Sequence, residues 1–121
     1  MRTVDLALRL EWVAVLALSV AAYFAVGGSW LLLVLLILVP DLSMVGYLAG
    51  PVTGAVAYNM AHTLVGPALL ALVALLTGTE IASQLAAIWT AHIAADRALG
   101  YGLKLTTGFA DTHLGRIGKR G

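Results

Sequence analysis

Residues 30–48 have the sequence WLLLVLLILVPDLSMVGYL, an apolar stretch that contains one ionisable side chain, Asp41. About 20 apolar residues in a helix cross the hydrocarbon core of a bilayer, because each residue advances the helix by about 1.5 Å. A carboxylate inside such a run is costly in lipid and is therefore a functional candidate. The stretch predicts a membrane-spanning helix that carries one acidic group.

Three further apolar runs have similar lengths, at about residues 6–26, 52–76 and 80–99, and glycine-containing turns separate them. Short connections favour antiparallel neighbours. We therefore predict an all-α fold, a membrane-spanning four-helix bundle with up-down-up-down topology and short hairpin loops. Residues 1–121 form a single integral membrane domain in this prediction, and residues 100–121 form an amphipathic tail on the cytoplasmic surface.

The composition supports lipid as the solvent, since 61% of the 121 residues are hydrophobic and only 11% are charged. A soluble domain has about a quarter of its residues charged. The chain has no cysteine. Disulfides, thiolate metal sites and iron–sulfur clusters are thereby excluded.

The positive charges are concentrated towards the two ends of the chain: they are Arg2, Arg9, Arg97, Lys104, Arg116, Lys119 and Arg120. The positive-inside rule then places both termini in the cytoplasm, which requires an even number of crossings. If the first run were a cleaved signal peptide, three crossings would remain. Basic groups at the ends of so apolar a chain favour contact with anionic lipid headgroups, and we expect no nucleic-acid partner.

Each of the four runs contributes an ionisable group at a similar depth. With the predicted topology and a rise of about 1.5 Å per residue, these groups lie roughly 6 to 15 Å from the cytoplasmic boundary. They are Glu11, Asp41, His62, His92 and Asp96. Intramembrane ionisable groups usually face the interior of a bundle, so we expect a shared polar site.

The spacing of polar residues supports convergence on that site. Asn59 and His62 are three residues apart, and His92 and Asp96 are four apart, so each pair shares a helix face. Pro40 removes a backbone donor and should kink the second helix, exposing the carbonyl of the residue four positions earlier, Leu36.

Two imidazoles with carboxylates and no sulfur form a ligand set suited to zinc, manganese or iron. The predicted metal ligands are Asp41, His62, His92 and Asp96. As further catalytic candidates besides Asp41 we predict Glu11, as a base or outer-shell partner, and His113, from a tail segment that folds over the cytoplasmic mouth. Substrate contacts are assigned to Tyr58, Asn59, Arg97 and Lys104, the last two holding an anionic headgroup.

The function most consistent with these residues is metal-dependent hydrolysis of a lipid or other amphiphilic substrate at the cytoplasmic leaflet. Three alternatives stay open. The polar pairs can simply hold helices together; His62 and His92 can bind haem or a pigment in an accessory subunit; or the buried groups can relay protons in a transport module. Association of several copies into a homo-oligomer is also open.

Several short strings resemble a family of small bacterial membrane proteins of unknown function, domain of unknown function 4260. They are PDLSM at 40–44, GYL at 46–48, YN at 58–59, AH at 61–62, AHI at 91–93, DRALGYGLK at 96–104 and THLG at 112–115. The resemblance covers nearly the whole chain and implies a multi-pass protein of the bacterial cytoplasmic (inner) membrane. It implies no activity.

A looser likeness is to membrane-bound metal-dependent hydrolases, which combine a histidine in one helix with a histidine and an aspartate in another. His62 would match the first element, and His92 with Asp96 the second. This chain lacks the second neighbouring histidine of those motifs, so the likeness is an analogy for the metal and the reaction.

Overall fold

A computed structural model describes residues 2–117. Four helical segments joined by short turns make up most of this part of the chain. The second and third segments are each broken into two. The elements are α1 (Thr3–Ala25), α2 (Trp30–Leu36), a 3₁₀ helix η1 (Val39–Ala49), α3 (Pro51–His62), α4 (Val65–Thr77), α5 (Glu80–Leu99), and two short strands, β1 (Asp111–Thr112) and β2 (Gly115–Arg116).

The all-α prediction is confirmed, because the only strands among residues 2–117 are two residues long and pair locally. The four segments begin and end within a few residues of the apolar runs in the sequence. Two of them, Trp30–Ala49 and Pro51–Thr77, are long and apolar enough to cross a membrane. The up-down-up-down order across a bilayer and the orientation of the termini stay predictions.

Near Pro40 the second segment changes from an α-helix to a 3₁₀ helix, whereas the sequence predicted only a kink. The α-helix ends at Leu36, and Pro40 lies in the first turn of η1. In a 3₁₀ helix each N–H bonds three residues back, so proline at position 40 leaves the carbonyl of Ile37 without a donor. The next N–H, of Asp41, bonds to Leu38 instead. The Ile37 carbonyl is therefore free to accept from a side chain, and the Leu36 carbonyl, which the sequence predicted to be exposed, also lacks the donor that residue 40 supplies in an α-helix.

The third segment breaks directly after His62, where Thr63 adopts an extended conformation with φ −98° and ψ 154°. The break leaves backbone carbonyls at the end of α3 without helical partners. Side chains of α5 supply donors: the Trp89 indole N–H donates to Ala61 O at 2.6 Å, and Arg97 Nη2 donates to His62 O at 3.1 Å. The break is therefore fixed by α5.

Helix α5 is the centre of the packing. It contacts α1 on one side and α4 on another, whereas η1 packs mainly on α3. Seven of its residues are buried: Ala82, Ala86, Ile88, Ala91, His92, Ile93 and Ala94. The small side chains among them allow neighbouring helices to approach closely.

The segment from residue 101 to 117, here called the tail, returns against α3. The side-chain amide of Asn59 donates to Lys104 O at 2.8 Å and accepts from the Lys104 N–H at 2.7 Å. Lys104 also bridges to Thr112, which begins the turn between β1 and β2. The tail is thus tied to the helices, and its predicted contact with a membrane surface stays a prediction. Lys119 and Arg120 lie outside the described residues.

Candidate metal centre

Four side chains from three elements converge on one point and form what we call the four-donor cluster: Asp41, His62, His92 and Asp96. The two imidazole Nε2 atoms are 3.1 Å apart. Asp41 Oδ1 lies 3.1 Å from Nε2 of His62 and 3.0 Å from Nε2 of His92. Asp96 Oδ2 lies 3.5 Å and 3.4 Å from the same two nitrogens.

These distances resemble the edges of a coordination tetrahedron. Four ligands at about 2.0–2.1 Å from a zinc-sized ion are separated by about 3.3–3.4 Å in ideal tetrahedral geometry. Five of the six edges of the four-donor cluster measure between 3.0 and 3.5 Å. The sixth edge joins the two carboxylates, whose donor atoms lie within 4.8 Å of each other. Small side-chain shifts would therefore complete a four-coordinate site.

The backbone fixes which nitrogen of each histidine carries a proton. His62 Nδ1 is 2.8 Å from the carbonyl of Tyr58, and His92 Nδ1 is 2.6 Å from the carbonyl of Ile37. A carbonyl only accepts hydrogen bonds, so both Nδ1 atoms donate. In the neutral rings both Nε2 atoms then present lone pairs to the cluster. Metal-bound histidines commonly donate their other N–H to a backbone carbonyl in this way.

The electrostatic consequence is that two nitrogen lone pairs and two carboxylate oxygens face one another with no donor among them. The histidines are almost fully buried, at 2% and 4% exposure, so water cannot screen the repulsion. A cation at the centre removes it, either a metal ion or a proton that converts one ring to imidazolium. The donor set fits a divalent metal.

Each ligand is placed by a local feature of its element. Asp41 lies in the first turn of η1, because Pro40 ends the α-helix before it. His62 is the last residue of α3, and its ring stacks on Tyr58 at 3.7 Å between centroids. His92 and Asp96 are one turn apart on the continuous helix α5. Two broken segments and one unbroken helix therefore meet at the cluster.

The comparison with protein families covers nearly the whole chain. The model of the family described as Domain of unknown function (DUF4260) matches residues 5–117. The chain belongs to this family. No curated protein and no solved structure matches it. The looser likeness to metal-dependent hydrolases finds no support in these comparisons.

All four predicted metal ligands of this DUF4260 member come together, whereas two predicted catalytic residues lie elsewhere. Glu11 is exposed on α1 and is not part of the four-donor cluster. His113 is in the tail, exposed, and its Nδ1 accepts from the Leu103 N–H at 2.8 Å. Asn59 uses its side chain to hold the tail, so in this structure it does not face a substrate.

Lys104 brings a buried positive charge close to the cluster. It is only 4% exposed, and its Nζ lies 3.9 Å from the ring centre of Phe109 and 4.8 Å from that of Tyr58. Burial lowers the pKa of Lys104, while the negative charges of Asp96 and Asp41 oppose that shift. The side chain thus lies against aromatic faces and makes no direct ion pair within residues 2–117.

The haem alternative does not fit this geometry. A porphyrin held by both histidines would have to pass between two Nε2 atoms that are 3.1 Å apart. Asp41 and Asp96 also occupy that space. A single small cation satisfies the same four atoms without displacing any of them.

Sequence reasoning missed two groups that support the site. The Ile37 carbonyl orients His92, and Pro40 was the signal for it once 3₁₀ bonding is considered. The Trp89 ring lies against Gly66, where a side chain would collide with it, and caps Ala61. The signal in the sequence for this contact was Gly66, four residues after His62, together with the large aromatic residue Trp89 in the next helix.

Proposed function

We propose that this protein is a membrane metalloprotein that binds one divalent transition-metal ion through the four-donor cluster. The observation that carries the proposal is the convergence of four lone-pair atoms with no hydrogen-bond donor among them. Histidine and carboxylate ligands without sulfur suit zinc, manganese or iron. The backbone partners of both Nδ1 atoms supply the outer-shell support that such sites need.

A bilayer is the environment in which the exposed surface is stable. No residue in the most apolar window of Trp30–Ala49 is buried, and most of the leucines and valines of this segment are exposed. Water would penalise that surface by roughly 25 cal/mol per Å² of apolar area, whereas lipid would not. We place the protein in the bacterial cytoplasmic membrane as a multi-pass protein, with both termini on the cytoplasmic side where its basic residues lie.

The activity that we assign to the centre is hydrolysis of a lipid or another amphiphile that arrives from the cytoplasmic leaflet. A divalent metal supplies Lewis acidity and lowers the pKa of water. Access favours catalysis over a closed structural site, since the Asp41 and Asp96 side chains are 33% and 21% exposed.

In this proposal the residues around the cluster have different roles. Tyr58 holds the His62 ring by stacking, and the Ile37 carbonyl holds His92. Lys104 supplies a positive charge that favours an anionic group near the carboxylates. Arg97 follows Asp96 on α5 and donates to the His62 carbonyl.

Elemental analysis tests the metal step. The detergent-purified chain, loaded with zinc or manganese and passed through a desalting column, should retain one metal ion per chain. His113→Ala is the matched control, because it removes an exposed histidine outside the cluster and should retain the metal. The double variant His62→Ala/His92→Ala should lose it.

Asp41→Asn keeps the shape of the side chain and should also lose the metal. This variant serves as the test if the double variant misfolds, and size-exclusion profiles show whether each variant is folded. A folded wild-type chain that retains no metal under these conditions would contradict the proposal. Retention of the metal by a folded double variant would also contradict it.

The hydrolytic step needs a separate assay. Metal-loaded protein in nanodiscs of defined phospholipids and diacylglycerol should generate cleavage products detectable by mass spectrometry, and Asp41→Asn should abolish them. If metal-loaded wild-type protein cleaves no lipid or amphiphilic ester, hydrolysis is wrong while metal binding can still stand.

A further inference from the structure

A second polar site lies where the start of α1, the end of α5 and the tail meet. We call it the arginine groove, and its polar lining is Arg2, Asp5, Arg9, Trp12, Arg97 and His113. None of the four-donor cluster lines it. The groove is a separate feature that neither the family nor the proposed metal centre assigns.

The charges of the groove do not balance. Arg2 holds both oxygens of Asp5, with Nε–Oδ2 and Nη2–Oδ1 distances of 3.1 Å each. Asp5 is one helical turn before Arg9, so it would be the natural partner of Arg9 on α1. Within residues 2–117, neither Arg9 nor Arg97 has a carboxylate within 4.0 Å. Among the described residues, these two positive charges therefore form no direct ion pair.

Both of these guanidinium groups are held in place. Arg9 lies over Gly100, the C-cap of α5, where a Cβ would collide with its guanidinium. Arg97 donates to the His62 carbonyl at 3.1 Å and faces the Trp12 ring at 5.8 Å. A guanidinium has five N–H donors, so Arg97 keeps several for a ligand. Both side chains are only partly exposed, which makes an absent counter-ion costly.

His113 adds a neutral donor from the tail. Its Nδ1 accepts from the Leu103 N–H at 2.8 Å, so in the neutral ring Nε2 carries the proton. Burial and the charge of Arg97 lower the pKa of His113, which keeps the ring neutral at pH 7. Three elements thus each contribute one donor side chain to the groove.

We infer that the arginine groove binds a phosphate group, with Arg9, Arg97 and His113 as its donors. Arginine pairs recognise phosphate strongly, and its tetrahedral oxygens suit donors that approach from three elements. The apolar lining, which includes Leu8 and Leu114, favours a phosphate attached to an amphiphile. Arg97 also contacts the carbonyl of His62, so the phosphate lies next to the metal centre.

The claim that the groove holds the headgroup of a substrate rests on the proposed function. Phosphate binding by the groove needs no metal. The substrate class that follows is an anionic phospholipid or a related phosphorylated amphiphile. Arg9 then anchors the headgroup at the cytoplasmic boundary.

Isothermal titration of the full chain in detergent tests the inference, with three probes: inorganic phosphate, a short-chain phosphatidic acid and a short-chain phosphatidylcholine. Arg9→Gln should weaken binding of the phosphate probes by about tenfold or more, which corresponds to one lost charge-assisted contact. Arg116→Gln is the matched control: this arginine is exposed, lies outside the groove and carries the same charge. It should change affinity by less than about twofold.

The probes separate two sources of the phosphate group, and both support the site. Binding of inorganic phosphate as well as phosphatidic acid indicates a free or esterified phosphate, and binding of phosphatidic acid alone indicates a lipid headgroup. Equal affinity of wild type and Arg9→Gln, or equal weakening by Arg116→Gln, would overturn the inference. Asp41→Asn should lose metal but keep phosphate binding, whereas Arg9→Gln should keep its metal, so the two proposals fail independently.

Discussion

Helix α5 and the segment Trp30–Ala49 each bring an aspartate to the four-donor cluster, but they are built differently. Helix α5 is continuous, buries seven residues and presents His92 and Asp96 one turn apart. The other segment is interrupted between α2 and η1, and no residue in its most apolar window is buried. His92 and Asp96 therefore belong to the buried core of the protein, whereas Asp41 belongs to a peripheral segment.

The difference teaches that the ligands are not equally pre-organised. His92 is fixed by packing and by the Ile37 carbonyl, independently of any metal. Asp41 lies on a 3₁₀ helix that packs mainly on α3, and its nearest polar partners are the two histidines. Weakly packed elements open locally at low cost in free energy. A bound cation should therefore order η1 more than α5.

The largest expected effect compares a ligand from each region. His92→Ala should lower the free energy of unfolding by about 3 kcal/mol, because it leaves a cavity and an unpaired carbonyl at Ile37. Asp41→Ala in metal-free protein should cost less than about 1 kcal/mol, since Asp41 is partly exposed. Denaturant unfolding in detergent measures both. Equal losses would remove the distinction between core and periphery.

The next effect follows from metal removal. Chelation should raise amide exchange in residues 39–49 by about tenfold or more and leave the centre of α5 unchanged, because only η1 depends on the cation for order. Hydrogen exchange with mass spectrometry provides the test. Uniform exchange changes across both regions would contradict the comparison.

Packing against α5 can be probed at Gly66. A methyl group there collides with the Trp89 ring, so Gly66→Ala should destabilise the protein by about 1–3 kcal/mol. Gly108→Ala is the control, because its added Cβ meets nothing closer than Asp111 Oδ2 at 3.5 Å. If both variants unfold at the same temperature, the contact between Gly66 and Trp89 is not tightly packed.

A smaller effect is expected at the periphery, where Asn59 holds the tail. Asn59→Ala removes both hydrogen bonds to Lys104 and should cost about 1 kcal/mol. Proteolysis within residues 101–117 should be faster than in Thr53→Ala, an exposed control on the same helix. If cleavage rates do not differ, the tail is held by other contacts.

The smallest effect belongs to Glu11. Because this side chain is exposed on α1, Glu11→Gln should leave metal content unchanged and shift stability by no more than about 0.5 kcal/mol. Loss of metal from this variant would restore the role of Glu11 as an outer-shell partner.

The convergence of the four donors was predictable because helix rise fixes depth. Four apolar runs of similar length with short turns predict similar levels for Asp41, His62, His92 and Asp96. Depth alone does not give direction around a helix. Trp12 lies on the face of α1 that buries Ser19, and Glu11 is turned about 100° from it. This is why Glu11 misses the cluster although its predicted depth matches that of the other ionisable groups.

The breaks in the helices were only partly predictable. Pro40 signalled an interruption, but a single sequence reveals neither the 3₁₀ bonding of η1 nor its packing on α3. The extended Thr63 depends on donors from Trp89 and Arg97 on a distant helix. Such long-range capping has no local signal.

The central claim is that one metal ion sits between the two histidines, and an anomalous-scattering map of metal-loaded crystals tests it most directly. Data collected at the absorption edge of the loaded metal should show one peak within about 2.0–2.2 Å of Nε2 of His62, Nε2 of His92 and one oxygen of each aspartate. No anomalous peak at the cluster in a chain with intact histidines would contradict the account, and a protonated imidazolium would then hold the carboxylates together.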